Sequence, residues 1–306
     1  MRNTRILALA IAWAAGLSGA VDPELLAMVS PNVKVVAGIH LQHGLMTPFG
    51  QFLLSQVPQN PGMQQFANLT GFDLRKDLHE IVVAADSFAT NGAPGGRNIV
   101  LLRGTFDIPK LTSLTTLGGG TAEIKNGFQW ITPAAGPAGQ AMAFLNSSIL
   151  VGGAPDLIEA ALARTSRSPA LTEGIVHEAL VTGAANDIWL VSSIPALEML
   201  PPGQKTLPLA VFESITGYSG GLRMDDAGVT FSSEVLTRTG QDAETLAVIL
   251  KFAAGMTKPP QSDVLNQAQV ETDGSKLRLK LTVPESQMEQ LVRSGSGTRR
   301  ISFPAQ

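Results

Sequence analysis

Lys276-Leu-Arg-Leu-Lys-Leu-Thr-Val283 alternates without a fault: Leu277, Leu279, Leu281 and Val283 are apolar, and Lys276, Arg278, Lys280 and Thr282 are polar. Successive side chains of a strand point to opposite faces, so this run predicts a strand with one face in a core and the other in water. Asp273-Gly274 just before it has the composition of a tight turn and makes residues 268–272 its hairpin partner. Strands of a doubly wound parallel sheet are apolar on both faces, and this one is not. The pattern predicts an α+β fold of antiparallel sheets with helices packed on one face.

The same logic extends outward. Asp225-Asp-Ala-Gly228 is a turn that pairs residues 222–224 with 229–236. Between the two hairpins, residues 242–256 read as a helix, with Thr239 and Asp242 spaced as a capping box that uses Asp in place of Glu. Leu246, Val248, Ile249, Leu250, Phe252 and Ala253 cover nearly its whole circumference, which predicts burial against a sheet on one side and a second helix on another.

This order of signals runs twice, over residues 33–164 and 187–293, with little identity between the copies. Each copy opens on a strand-like run, Val33-Lys-Val-Val-Ala-Gly-Ile-His-Leu41 and Asp187-Ile-Trp-Leu-Val-Ser-Ser-Ile194. Each closes with a hairpin entering a helix that begins with proline and acid, at Pro155-Asp156 and Pro284-Glu285. Two related halves are expected, residues 21–165 and 186–293, with a connecting segment and helix at 166–185 and a flexible tail at 294–306. Within the first half the signals predict helices at 47–56, with Pro48 in its first turn, at 62–69, and at 108–117, capped by Asp107. Strands are expected at 79–85 and 98–106, around Ile124 and Trp130, and at 144–151.

The first twenty residues read as a secretory signal. Arg2 and Arg5 are the basic region, residues 6–17 the apolar core, and Ser18-Gly19-Ala20 the small residues of a cleavage site. About 12 apolar residues fall short of the roughly 20 that span a bilayer, and no later stretch reaches ~18, so an exported, periplasmic or secreted chain without an integral membrane segment is expected. Cleavage removes two arginines and no acid, moving the net charge from -3 to -5. A mildly acidic chain is a poor sequence-independent nucleic-acid binder, whose affinity rests on clustered Lys and Arg. There is no cysteine, which excludes disulfides, thiolate metal ligands, a cysteine nucleophile and an acylated N-terminal cysteine. Charged residues make up only 15% of the chain, against the ~25% usual for soluble domains, so much of each element's surface is expected to be covered by another.

Four patterns have the residue types of chemistry. Gly217-Tyr-Ser-Gly-Gly221 matches the G-x-S-x-G of a serine-hydrolase elbow, which needs a helix directly after the serine and a histidine later in the chain. Here a strand follows, and His40, His43, His79 and His177 all precede Ser219, so the glycines read as strand-end flexibility. His40-Leu-Gln-His43 is the one close histidine pair, and a metal there would need a third ligand such as Asp86 or His79. Lys276, Arg278 and Lys280 form a cationic row that reads as a solvated face, with Glu234, Glu271 or Asp273 as neutralising neighbours. Asp225-Asp226 reads as a turn that bonds its own backbone. No cofactor motif is present.

The runs Gly71-Phe-Asp-Leu-Arg-Lys-Asp-Leu-His-Glu-Ile-Val-Val-Ala84, Leu101-Leu-Arg-Gly-Thr-Phe-Asp107 and Phe144-Leu-Asn-Ser-Ser-Ile-Leu-Val-Gly-Gly-Ala-Pro-Asp-Leu-Ile-Glu-Ala-Ala161 resemble a group of exported bacterial proteins of acidobacterial and planctomycete type. That group has no assigned activity, so the resemblance implies export and no site residues. The expectation is a non-catalytic binding or interaction module for a small molecule or protein, with its ligand surface in the groove where the halves meet. The alternatives are a hydrolase or metal-dependent enzyme using Ser219 or His40 and His43, and an apolar-ligand carrier, which requires an open apolar cavity.

Overall fold

Three runs that are apolar at nearly every position, residues 35–39, 81–85 and 188–191, form the middle of one sheet in the computed structural model, which describes residues 21–56, 61–88, 94–134, 139–165, 174–195, 212–257 and 264–296. The strands are β1 (Val35–His40), β2 (Leu78–Phe88), β3 (Pro94–Gly104), β4 (Thr121–Lys125), β5 (Phe128–Thr132) and β6 (Ala141–Asn146), followed by β7 (Ile149–Gly153), β8 (Ile188–Ser192), β9 (Ile215–Asp225), β10 (Gly228–Thr237), β11 (Gln269–Asp273) and β12 (Lys276–Val283). They lie in the order β11-β12-β10-β9-β8-β1-β2-β3-β7-β6-β5-β4, and every neighbouring pair is antiparallel. The α+β class with antiparallel strands therefore holds. All the strands share one sheet, joined where β1 pairs with β8. Outward from that seam the order of elements is the same on both sides through β6 and β11, after which β5 and β4 extend one arm only.

Ten helices flank the sheet among the described residues: α1 (Pro23–Met28), α2 (Leu41–Met46), α3 (Pro48–Gln56), α4 (Pro61–Thr70), α5 (Leu74–Asp77), α6 (Ile108–Leu117), α7 (Pro155–Thr165), α8 (Gly174–Ala185), α9 (Gly240–Met256) and α10 (Glu285–Ser296). They occupy both faces, a wider distribution than the single face expected. On one face α1, α7 and α8 bury Val36, Val82, Leu101, Val151 and Trp189 in the largest core cluster. On the other, α6 packs on Ile131, Phe144 and Leu150, α9 on Val235 and Leu277, and α3 and α10 on Met224, Val229 and Phe231.

Several finer expectations change. The helices entered at Pro155 and Pro284, which anchor the match between copies, lie on opposite faces, α7 against Val151 and α10 against Val283. Helix α9 buries Ala243, Leu246 and Ala247, while Val248, Phe252 and Met256 point outward, so the second helix expected on that side is absent among the described residues. Helix α10 runs on through Ser294, Gly295 and Ser296, three residues into the expected tail. The linker expected at residues 166–170 lies outside the described residues. No described helix is long and apolar enough to cross a membrane.

The seam depends on one large side chain. Trp189, only 2% exposed, stands opposite Gly38 in the β1–β8 register. Its indole fills the space above Gly38, where a Cβ would stand only 2.4 Å from Cε2 and Cζ2, and its Nε1 edge lies 3.0 Å from where a Cβ on Gly183 of α8 would stand. Overpacking a filled core typically costs about 1–3 kcal/mol. Gly38→Ala is accordingly expected to lower the unfolding free energy by roughly that amount in urea titrations. Gly255→Ala, in α9 with nothing within 4 Å of its Cβ position, is expected to raise it by about 0.5–1 kcal/mol.

Candidate functional site

On the face opposite α1, α7 and α8, the central strands present a second set of apolar side chains. Ala37 and Ile39 of β1 stand beside Val83 of β2, Leu190 of β8, Leu222 of β9 and Phe231 of β10. All are half-buried, with no helix seated over the middle of them among the described residues. The result is a trough of about 550 Å³ that crosses the β1–β8 seam, where the two strand runs meet. Ligand sites commonly measure about 300–1,000 Å³ and are mostly apolar with a few polar groups. The polar side chains here include those of Tyr218 and Ser233.

Gly217-Tyr-Ser-Gly-Gly221, expected at a strand end, lies inside β9. Its glycines make room for close approach instead of supplying flexibility. A Cβ on Gly220 would stand 2.5 Å from the Ser232 carbonyl and 2.8 Å from the Tyr218 hydroxyl, and one on Gly221 would meet Asn186 at 2.7 Å. Gly220 thus lets the Tyr218 phenol lie along the trough. Burial pushes that phenol's ionisation up, keeping it a neutral donor and acceptor.

A buried polar cluster sits at one end of the seam. The His43 Nδ1–H donates to Asp187 Oδ1 at 2.6 Å, and Asp187 Oδ2 accepts from the Met224 N–H at 2.7 Å. The Asp187 carbonyl accepts from the His40 N–H at 2.7 Å, so this one residue ties α2, β1, β8 and β9 together. His40 Nε2–H donates to the Gly183 carbonyl at 3.2 Å, which fixes the tautomer and leaves the Nδ1 lone pair facing Glu80 Oε1 at 3.6 Å, too far for a hydrogen bond. Burial lowers the proton affinity of His40, against the pull of the Gly183 carbonyl. Burial also pushes the Glu80 carboxyl up to about 7, although the Asp22 N–H donates to its Oε2 at 3.0 Å.

The structure separates the residues that sequence reading put forward for chemistry. Ser219 pairs across the sheet with Val191 and Glu234, lines a polar cavity of about 340 Å³ with Asn186, and hydrogen-bonds no histidine among the described residues. His79 bonds the Lys76 carbonyl, and Asp86 accepts from the Arg97 N–H. No group of three metal-ligating side chains converges among the described residues. Neither the hydrolase nor the metal alternative has a geometry to rest on there. Glu234 takes Lys276 at 2.6 Å and Arg278 at 3.0 Å, and Asp273 takes Arg278 at 3.3 Å, so two of the three cations of the row are paired by the acids expected beside them. Asp225 accepts from the Ala227 and Gly228 N–H groups in its own turn.

No protein-family model matches the chain, and no curated protein matches it in sequence. Two crystal forms of the treponemal protein TP0453 are similar in structure. Form I superposes with a TM-score of 0.50 and form III with 0.51, each at 8% identity and over 90% of this chain, covering 98% and 99% of TP0453. At that identity the likeness concerns the fold alone.

Sequence reading passed over Asp187 because nothing local marks it. Its value comes from partners more than 30 residues away. Removing a buried acceptor leaves its donors unpaired, at about 1–3 kcal/mol each. Asp187→Ala is expected to cost at least that much in chemical denaturation, and His43→Ala, whose ring is 34% exposed, distinctly less.

Proposed function

We propose that the chain is an exported, non-catalytic binding protein that holds an apolar or amphipathic ligand in the trough across the β1–β8 seam. One observation carries this reading: the apolar face of the central strands stays half-open to solvent while the opposite face of the same strands is fully packed. A concave, mostly apolar lining with a few polar side chains is the usual form of a small-molecule site. Tyr218 and Ser233 supply a neutral polar end for orienting an amphipathic molecule, and the apolar walls supply affinity through burial, about 25 cal/mol per Å². The basic, apolar and small-residue order of residues 1–20 and the resemblance to exported proteins support export.

The test uses a dansyl-labelled fatty acid as probe. Saturable binding with blue-shifted emission is expected for the chain beginning at Val21. Ala37→Trp, which places an indole in the trough, is expected to weaken that binding at least tenfold, about 1.4 kcal/mol, while the thermal midpoint holds. Unsaturable binding, or equal binding by the variant, would remove the trough as the site.

A further inference from the structure

The strongest unexplained feature outside the trough is the way the chain begins its packing. Val21 is 0% exposed, as are Leu25, Leu26 and Met28 of α1. The Val21 side chain lies where a Cβ on Gly183 would stand, wedged against α8 beside the carbonyl that holds His40. Asp22 caps α1 through the Glu24 N–H and takes Arg103 Nε at 2.9 Å, while Arg103 Nη1 reaches Glu24 at 3.1 Å. Six helical residues are therefore pinned to the sheet by an ion-pair chain and by burial.

Two groups in this corner are left without partners. Glu80, 5% exposed, uses Oε2 for the Asp22 N–H, but its Oε1 is buried with no hydrogen bond. The backbone nitrogen of Val21, one residue before that donor, has no acceptor among the described residues. Val21 directly precedes the Asp22 donor, so its nitrogen stands within one residue's span, roughly 3.6 Å of chain, of the group that already bonds this carboxylate. The buried, unpaired Glu80 oxygen thus belongs to the carboxylate bonded by Asp22, one residue after the point where Ser18-Gly19-Ala20 predicts cleavage.

We propose that hydrolysis of the Ala20–Val21 bond makes a docking group, the α-ammonium of Val21, which becomes the buried ion-pair partner of Glu80. The inference rests on the export reading. In the reaction, catalysed by a peptidase that cuts after small residues, water adds to the Ala20 carbonyl carbon and the C–N bond breaks. The oxygen stays on Ala20 as a carboxylate, and the departing nitrogen takes up protons to become the ammonium.

Before cleavage the Val21 nitrogen is a neutral amide, and among the described residues no charged group pairs with Glu80. Arg103 is engaged by Asp22 and Glu24, and His40 is held neutral by burial with its lone pair toward Oε1. Glu80 in that state keeps its proton to about 7. A group raised in this way contributes stability that is full below its ordinary value of 4.5 and is lost as pH rises through about 7. After cleavage the ammonium favours the carboxylate, so the penalty disappears from that pH window. Processing would then lock α1 onto the sheet, and the precursor would carry a looser N-terminal corner until cut.

The experiment compares the chain beginning at Val21 with the same chain retaining Ala20, each also as E80Q. Side-chain carboxyl NMR titration is expected to place Glu80 below about pH 5 in the first and near 7 in the second, a shift on the order of a hundredfold in proton affinity. Retaining Ala20 is expected to lower the thermal midpoint at pH 7 by on the order of 5–10 °C, and by only about 1–2 °C in the E80Q background. Equal Glu80 titration in the two chains overturns the ion pair, and does so even if E80Q fails to fold. N-terminal sequencing of the exported protein reads the cleavage separately: a start at Val21 supports it, and any other start overturns it. Neither readout depends on the trough, so failure of the ligand reading is distinguishable from failure of this one.

Discussion

The packing of Trp189 on Gly38 across the β1–β8 seam is the contact on which the rest of the structure depends. Without a side chain at residue 38, the indole can approach the β1 backbone closely and fill the space under α8. That lets two runs of strands share backbone hydrogen bonds as one sheet in place of packing as separate layers. The consequence is asymmetric. Around the seam one face gains a core built from α1, α7 and α8, and the other gains no helix at its centre among the described residues. A sheet joined edge to edge has to leave its middle open wherever its helices follow the outer strands, as α6 and α9 do.

What the sequence made legible was decided within a few residues. The Asp225 turn, the Asp107 cap on α6 and the Thr239–Asp242 cap on α9 stand where composition put them, because each is a side chain bonding a backbone group two or three positions away. The alternation of residues 276–283 likewise needed only the period of a strand. The seam was not legible, since it pairs residue 38 with residue 189 and no local signal selects that partner. Helix α1 escaped notice for a related reason: six residues give too short a period to read, and its burial comes from α7, α8 and β3.

The glycines of β9 show how a correct pattern acquires a wrong meaning. Gly217, Gly220 and Gly221 were visible as small residues, and a turn or a strand end is their commonest use. In the sheet they answer to neighbours distant in sequence, Ser192, Ser232 and Asn186, whose atoms occupy the space a side chain would need. The trough had a readable trace as well. Residues 35–39, 81–85 and 188–191 are apolar on both faces, which states that both faces need covering, but only the placement of the helices reveals which of the two lacks a cover.

Among the described residues two stretches of sheet face lie open to water, and they differ in character. Beyond α8, the face that carries Ser219, Ser232, Glu234, Arg278 and Lys280 is polar, and Glu234 pairs there with Lys276 and Arg278. Around the seam, the other open face is Ala, Val, Ile, Leu and Phe. Both lie on strands of one sheet, so the difference is not imposed by the fold: polar side chains at Ala37, Val83 or Leu190 would fit an uncovered strand as readily as they do at residues 276–282. Each half-exposed apolar side chain forgoes part of the burial that would stabilise the protein, about 25 cal/mol per Å² left in water. A ligand that covers the trough recovers that loss and adds its binding free energy to the stability of the folded state. The openness of the seam and the apolar character of its surface thus find a common physical reason in an occupant, which neither feature has in the protein alone.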